Sequence, residues 1–209
     1  MAVKVKKCVI ISGAPEKDLS YYGENLDNSY IICADSGYKK CIEYGAKPDL
    51  IIGDFDSSDF PNVNCEIIKL NCRKDDTDTF HCAKYAVENG YEDITILGGI
   101  GSRLDHTYSN ILSINYCFDN NVKARLVNSN TCLTVESGCL KIEKSKYKYF
   151  SLFALFDKCT GVTIKGAKYN LNGADILPTE QFTQSNEFAS DTVEINIEKG
   201  KILLILSND

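Results

Sequence analysis

The sequence predicts an α/β N-terminal domain followed by an all-β C-terminal domain. Three observations carry this reading. Up to about residue 130, short apolar runs alternate with stretches of helical periodicity. Beyond it no long helical period remains. There, Gly138, Gly161, Gly166, Gly173 and Gly200 punctuate short alternating segments instead. The boundaries are therefore placed at 1–130 and 131–209.

The elements follow in order. Apolar runs at 8–12, 30–34, 49–53, 65–70, 93–97 and 123–127 read as strands. A helical stretch runs to Tyr44 and stops at Gly45, and another runs from Thr77 to Asn89, with Phe80, Ala83 and Val87 on one face and Gly90 after it. A third spans 104–118, with Leu104, Tyr108, Ile111, Asn115 and Phe118 along one stripe. Continuous apolar strands bounded by helices imply a parallel sheet covered on both faces, a three-layer arrangement. In the second domain, strands are expected at 132–135, 149–156, 161–164, 192–197 and 201–206, forming a small antiparallel unit.

Composition bounds the function. The 209 residues are 44% hydrophobic and 25% charged, which excludes a disordered chain, a collagen repeat or a coiled coil. Apolar runs near the ends fall far short of a membrane span, and no signal-peptide pattern precedes the first strand, so a cytoplasmic protein with no membrane partner is expected. The net charge is −6, with no basic cluster to track a phosphate backbone, which argues against nucleic acid. The ten cysteines include no C-x-x-C pair and accompany only two histidines; they read as reduced core thiols rather than disulfides or zinc ligands.

The chemistry concentrates where strands end. Asp35 follows the second strand, Asp54 and Asp56 the third, and Asp75, Asp76 and Asp78 precede a helix. Asp105 follows a glycine-rich turn. Strand ends of an open α/β sheet share one edge, where ligands bind, so these carboxylates should converge on one crevice. Two carboxylates at i and i+2 repel, and Mg²⁺ is the usual remedy; alone, the pair reads equally as an Asp-Ser turn. Acids before a helix are ordinary capping, but three in four positions behind Arg73 and Lys74 exceed what a cap needs. Leu97-Gly-Gly-Ile-Gly-Ser-Arg-Leu-Asp-His106 is strand, glycine turn and helix, which suits a phosphate, with Arg103 as a bidentate donor and His106 and Asn110 on one helix face. It matches neither G-x-x-x-x-G-K-[ST] nor G-x-G-x-x-G.

Together, Ala34-Asp-Ser-Gly37, Gly53-Asp-Phe-Asp-Ser57, Lys74-Asp-Asp-Thr-Asp78 and Gly101-Ser-Arg-Leu-Asp-His-Thr107 with Asn110 resemble the thiamine pyrophosphokinase family. Gly166-Ala-Lys-Tyr169 and Ser185-Asn-Glu187 resemble its thiamine-side segment. The order and spacing agree from about residue 8 to the C-terminus. The resemblance implies a Rossmann-like N-terminal domain, a C-terminal β-sandwich and a homodimer with active sites near the interface. It implies transfer of pyrophosphate from ATP to the hydroxyl of thiamine, releasing AMP. On it, Asp54, Asp56 and Asp78 would hold Mg²⁺, with Asp75 close by. Asp35, Lys74, Thr77, Gly99, Ser102, Arg103, Asp105, His106 and Asn110 would serve the ATP side, and Ser185 and Asn186 the thiamine side. Asp35, Asp75 and Asp105 are candidate bases for the hydroxyl. Some animal members carry a Trp that helps hold thiamine; this chain has none, so a Tyr or Phe would substitute.

Two other readings stand beside it. In phosphatases of the haloacid-dehalogenase kind the first Asp of a D-x-D after an apolar strand is the nucleophile. That family usually has Thr or Val where this chain has Ser58, and it leaves Lys74–Asp78 unexplained. A non-catalytic thiamine- or nucleotide-binding module would leave the clustered carboxylates without a purpose.

Overall fold

The computed structural model describes residues 5–56, 60–71, 75–101 and 103–209. The chain divides into two compact units, Met1–Ser129 and Asn130–Asp209.

The first unit runs β1 (Lys7–Ile11), α1 (Tyr22–Leu26), β2 (Tyr30–Ala34), α2 (Gly37–Glu43), β3 (Leu50–Gly53), β4 (Glu66–Lys69), α3 (Asp78–Glu88), β5 (Asp93–Leu97), α4 (Leu104–Asp119) and β6 (Lys123–Val127). Its strands are parallel, in the order β4-β3-β2-β1-β5-β6. Successive strand residues point to opposite faces, yet Val9, Ile10 and Ile11 are all buried, as are Ile31, Ile32 and Cys33. Both faces of the central strands are therefore covered, and each buried Ile contributes about 1.5–3 kcal/mol of apolar transfer. The chain grows from β1 through β2 and β3 to β4, then crosses to the other side of β1 for β5. The switch point thus lies between β1 and β5.

The helix faces differ from the periodicity. In α3 the buried side chains are Thr79, Cys82, Ala83 and Ala86, and Phe80 sits at the edge against Tyr116 at 5.1 Å. In α4 they are Asn110, Ser113, Ile114 and Cys117, while Leu104, Tyr108 and Leu112 are exposed. Small side chains let the helix backbones approach the sheet closely, so size outranked hydrophobicity at the contact. The cysteines follow the same logic: Cys8, Cys33, Cys41, Cys82, Cys117 and Cys159 are buried, and burial pushes the Cys117 thiol up to about 12.

The second unit is antiparallel: β7 (Thr131–Glu143), β8 (Tyr149–Ala154), β9 (Cys159–Lys165), β10 (Leu171–Ile176), β11 (Asn186–Glu187) and β12 (Thr192–Ser207). β12 pairs β7 along its length, β9 with its first half and β8 with its second. One long strand pair therefore carries both β9 and β8, around a core of Phe150, Leu152, Val162, Ile164, Val193 and Ile202. The expected break between 197 and 201 is a register shift within one strand. Gly200 makes it possible, with φ 103° and Cys159 Cα 3.0 Å from where its Cβ would lie. Neither α1 nor the short β11 has a clear sequence signal, and β10 alternates weakly.

Candidate active site

The C-terminal edge of the parallel sheet holds a cavity of about 400 Å³ at the switch point. Ser12, Gly13, Ala14 and Pro15 line it from the end of β1, and Ala34, Asp35 and Ser36 from the end of β2. Thr77, Asp78 and Thr79 enter from the start of α3. Gly99, Gly101, Arg103, His106 and Asn110 enter from the turn after β5 and the start of α4. α3 and α4 both bring their dipole-positive ends to it, the natural setting for phosphate.

Each wall has a local cause. Asp35 leaves β2 with φ 44°, held by its N–H donating to Ile52 O at 2.9 Å. Its Oδ1 is buried and, among the described residues, has no hydrogen-bond partner. A buried carboxylate oxygen without a donor is costly until a ligand or cation reaches it. Position 53 must be glycine, because a Cβ there would lie 2.8 Å from Asp35 Cα. Thr77 caps α3, its Oγ1 accepting from Phe80 N at 3.2 Å. Ser12 Oγ and Thr79 Oγ1 are 2.9 Å apart and buried, joining the end of β1 to the first turn of α3. Asn110, 4% exposed, donates from Nδ2 to Gly99 O at 2.7 Å and so fixes the glycine turn. Arg103 Nη2 lies 2.6 Å from Asp105 Oδ2, and this contact holds the Asp105 carboxyl below the usual carboxylate range.

The fold thus gathers Asp35, Thr77, Asp78, Gly99, Arg103, His106 and Asn110 around one space. Asp54, Asp56, Asp75 and Asp105 do not line it. Of the three candidate bases, only Asp35 does. Asp56 N donates to Asp54 Oδ1 at 3.3 Å across Phe55, whose φ is 56°. A turn rather than strand alternation therefore arranges that pair. Asp76 is occupied by Lys84 at 2.6 Å, which relieves the crowding before α3. Lys74 and Ser102 lie outside the described residues. Sequence reasoning missed Ser12, Gly13, Ala14, Pro15 and Thr79. The small-residue run Ser12-Gly-Ala-Pro15 after an apolar strand was a usable signal, but only the strand order puts it at the switch point.

Among the described residues no three Asp, Glu, His or Cys side chains are close enough to hold a metal ion. The oxygen-only donors Asp35 and Asp78, one with a buried unpartnered oxygen, still suit Mg²⁺. That ion takes one or two carboxylates and completes its shell with phosphate oxygens and water.

In the second unit, Ser185 is exposed with φ 56°, its N–H donating to Ser151 Oγ at 2.9 Å. Asn186 is 3% exposed, with its amide turned onto Tyr169.

A switch-point cavity with two helix N-termini and two carboxylates defines the first unit as an α/β domain that handles a phosphorylated ligand. The comparisons narrow this class. The family model described as "Thiamin pyrophosphokinase, catalytic domain" matches residues 24–126, and that described as "Thiamin pyrophosphokinase, vitamin B1 binding domain" matches 139–202. A thiamine pyrophosphokinase of Bacillus subtilis is 27% identical over 216 residues, covering 98% of this chain and all of that one. Thiamin pyrophosphokinase 1 of Caenorhabditis elegans is 25% identical over 215 residues, covering 95% and 88%. The crystal structure of a Bacillus subtilis thiamine pyrophosphokinase superposes with a TM-score of 0.91 at 25% identity, covering 98% and 100%. The chain belongs to the thiamine pyrophosphokinase family.

Proposed function

We propose that the protein transfers the pyrophosphoryl group of ATP to the hydroxyl of thiamine, giving thiamine diphosphate and AMP. The observation that carries this is the switch-point cavity, where residues from three separate motifs meet in a chain matched in tandem by both domains of the family. The first unit is assigned to ATP and catalysis. The second is assigned to thiamine and to pairing of two copies. The working form is taken as a cytoplasmic homodimer; no helix among the described residues is long and apolar enough to cross a membrane.

In this reading the thiamine oxygen bonds to the β-phosphorus, the bridging bond to the α-phosphate breaks, and the hydroxyl proton passes to a carboxylate or water. Arg103 donates to the phosphate oxygens as charge builds on them, and the α3 and α4 ends favour the same charge. Asp35 and Asp78 would hold Mg²⁺ from the cavity side, and Asp54 and Asp56 would reach it only after a movement of their turn. When bound, the ion neutralises phosphate charge. Thr77 and Asn110 keep the walls in place, so much of the rate would come from positioning.

The test is a product assay with ATP, Mg²⁺ and thiamine that resolves AMP, ADP and phosphate. AMP in step with thiamine diphosphate is expected. ADP or phosphate released without thiamine would refute the reading and favour an Asp-nucleophile phosphatase.

A further inference from the structure

We propose that Glu16 and Tyr21 are positioning residues that act as one latch, holding the loop after β1 against the glycine turn after β5 and so setting the spacing of the two walls that receive ATP. Neither residue lines the cavity, and the inference rests on the reading above that ATP binds there.

The two walls are joined first by backbone. Ser12 N donates to Leu97 O at 2.8 Å, and Ala14 N to Gly98 O at 2.9 Å. At Gly101 a Cβ would lie 2.9 Å from Ala14 Cβ, so the loops still touch at the far end of the turn. Tyr21, 3% exposed, ties the same two segments by its side chain. Its hydroxyl donates to Glu16 Oε2. Gly98 supplies a backbone hydrogen bond to the same phenol oxygen. One hydroxyl thus connects the loop after β1 to the first residue of the glycine turn. The ring is fixed as well: it meets Tyr22 edge-on at 5.0 Å, and Asn25 Nδ2 donates to Tyr21 O at 2.7 Å. Glu16 has a second anchor in α2, where Lys40 Nζ donates to Glu16 O at 3.0 Å.

Burial pushes the Tyr21 hydroxyl upward, so it keeps its proton and donates. Burial pushes the Glu16 carboxyl upward too. A carboxyl group one residue from Pro15, which lines a cavity suited to anions, works against the ligand by its charge. What offsets this is the bond to Tyr21, which fixes where Ala14 and Pro15 stand relative to Gly99 and Gly101. Amides and helix ends stabilise phosphate only where they are already in place, and small displacements are costly. A loop free to part from the turn would lose affinity for ATP without touching the thiamine side.

The test measures ATP binding directly, by calorimetric titration of the full-length protein with ATP and Mg²⁺, alongside turnover. Tyr21→Phe keeps the ring and removes the hydroxyl; it should weaken ATP binding about tenfold and leave the KM for thiamine nearly unchanged. Glu16→Ala should do the same. The sign discriminates, because a carboxylate acting only through its charge would, when removed, strengthen the binding of an anion. Glu16→Gln keeps an oxygen that accepts from Tyr21 and should stay close to wild type. The double variant Glu16→Ala, Tyr21→Phe should bind ATP about as well as either single variant, because each already opens the latch. Should Glu16→Ala fail to fold, weakened binding in Tyr21→Phe with near-wild-type binding in Glu16→Gln upholds the latch. Unchanged or tighter ATP binding in Tyr21→Phe would overturn it, as would effects that multiply in the double variant. A wild-type protein that binds ATP yet forms no thiamine diphosphate would sink the proposed activity alone, since the binding comparison still upholds or overturns the latch. One that binds no ATP would overturn both.

Discussion

Ser12 Oγ and Thr79 Oγ1 stand 2.9 Å apart in the buried floor of the cavity, tying the C-terminus of β1 to the first turn of α3. These residues are 67 apart in sequence, and neither belongs to a motif that announces itself. Thr79→Val would leave Ser12 Oγ buried without its partner and should cost about 1–2 kcal/mol. The double variant Ser12→Ala, Thr79→Val should cost less than the sum of the two single changes. Chemical denaturation of the four proteins measures this; strict additivity would mean that the hydroxyls do not depend on each other.

Gly53 to Ala should be one of the more disruptive single-atom changes in the first unit. The new Cβ would lie 2.8 Å from Asp35 Cα, so backbone must move against backbone. We expect about 1–3 kcal/mol of destabilisation, with a fall in turnover as Asp35 is displaced. A wild-type denaturation midpoint would show that β2 and β3 can part there without cost.

Asp54→Asn should keep the fold and lose Mg²⁺-dependent AMP formation. The amide oxygen can still accept from Asp56 N, as Asp54 Oδ1 does at 3.3 Å, so the turn survives while the charge is removed. Native circular dichroism with activity lost is the expected pair of results. Wild-type turnover would remove Asp54 from the metal site.

Arg103→Ala should raise the KM for ATP by more than tenfold and leave that for thiamine nearly unchanged, the loss of one charge-assisted phosphate contact. Arg103 is 70% exposed and held by Asp105 at 2.6 Å, so little stability should go with it. Asp105→Asn, which loosens that hold, should weaken ATP to a smaller degree. Equal effects of Arg103→Ala on both substrates would give the residue a structural role.

Much of the first unit could be read along the chain because parallel strands announce themselves. Ile31-Ile-Cys33 and Ile94-Thr-Ile96 are buried on both faces and so appear as unbroken apolar runs. The helix faces were less legible. Leu104 and Tyr108 suggest a buried stripe, yet the packed side of α4 is Asn110, Ser113, Ile114 and Cys117. Small and polar groups there satisfy close backbone approach and a bond to Gly99, needs that hydropathy does not record. In the second unit, glycines read as strand ends. Gly138 and Gly200 instead let β7 and β12 continue through a shift of register.

The sequence alone determined the kinds of element, the two-part division of the chain and the polar types available for phosphate chemistry, because these follow from local periodicity and side-chain identity. Only tertiary structure decided which of those groups meet. Placing β1 between β2 and β5 brings Ser12, Asp35, Asp78, Arg103 and His106 to one cavity and leaves Asp54, Asp56, Asp75 and Asp105 off its walls. Strand order depends on which surfaces bury best against each other, a property of the whole sheet that no single segment carries. The same holds for Asn186, whose amide is committed to Tyr169 by the pairing of two distant segments.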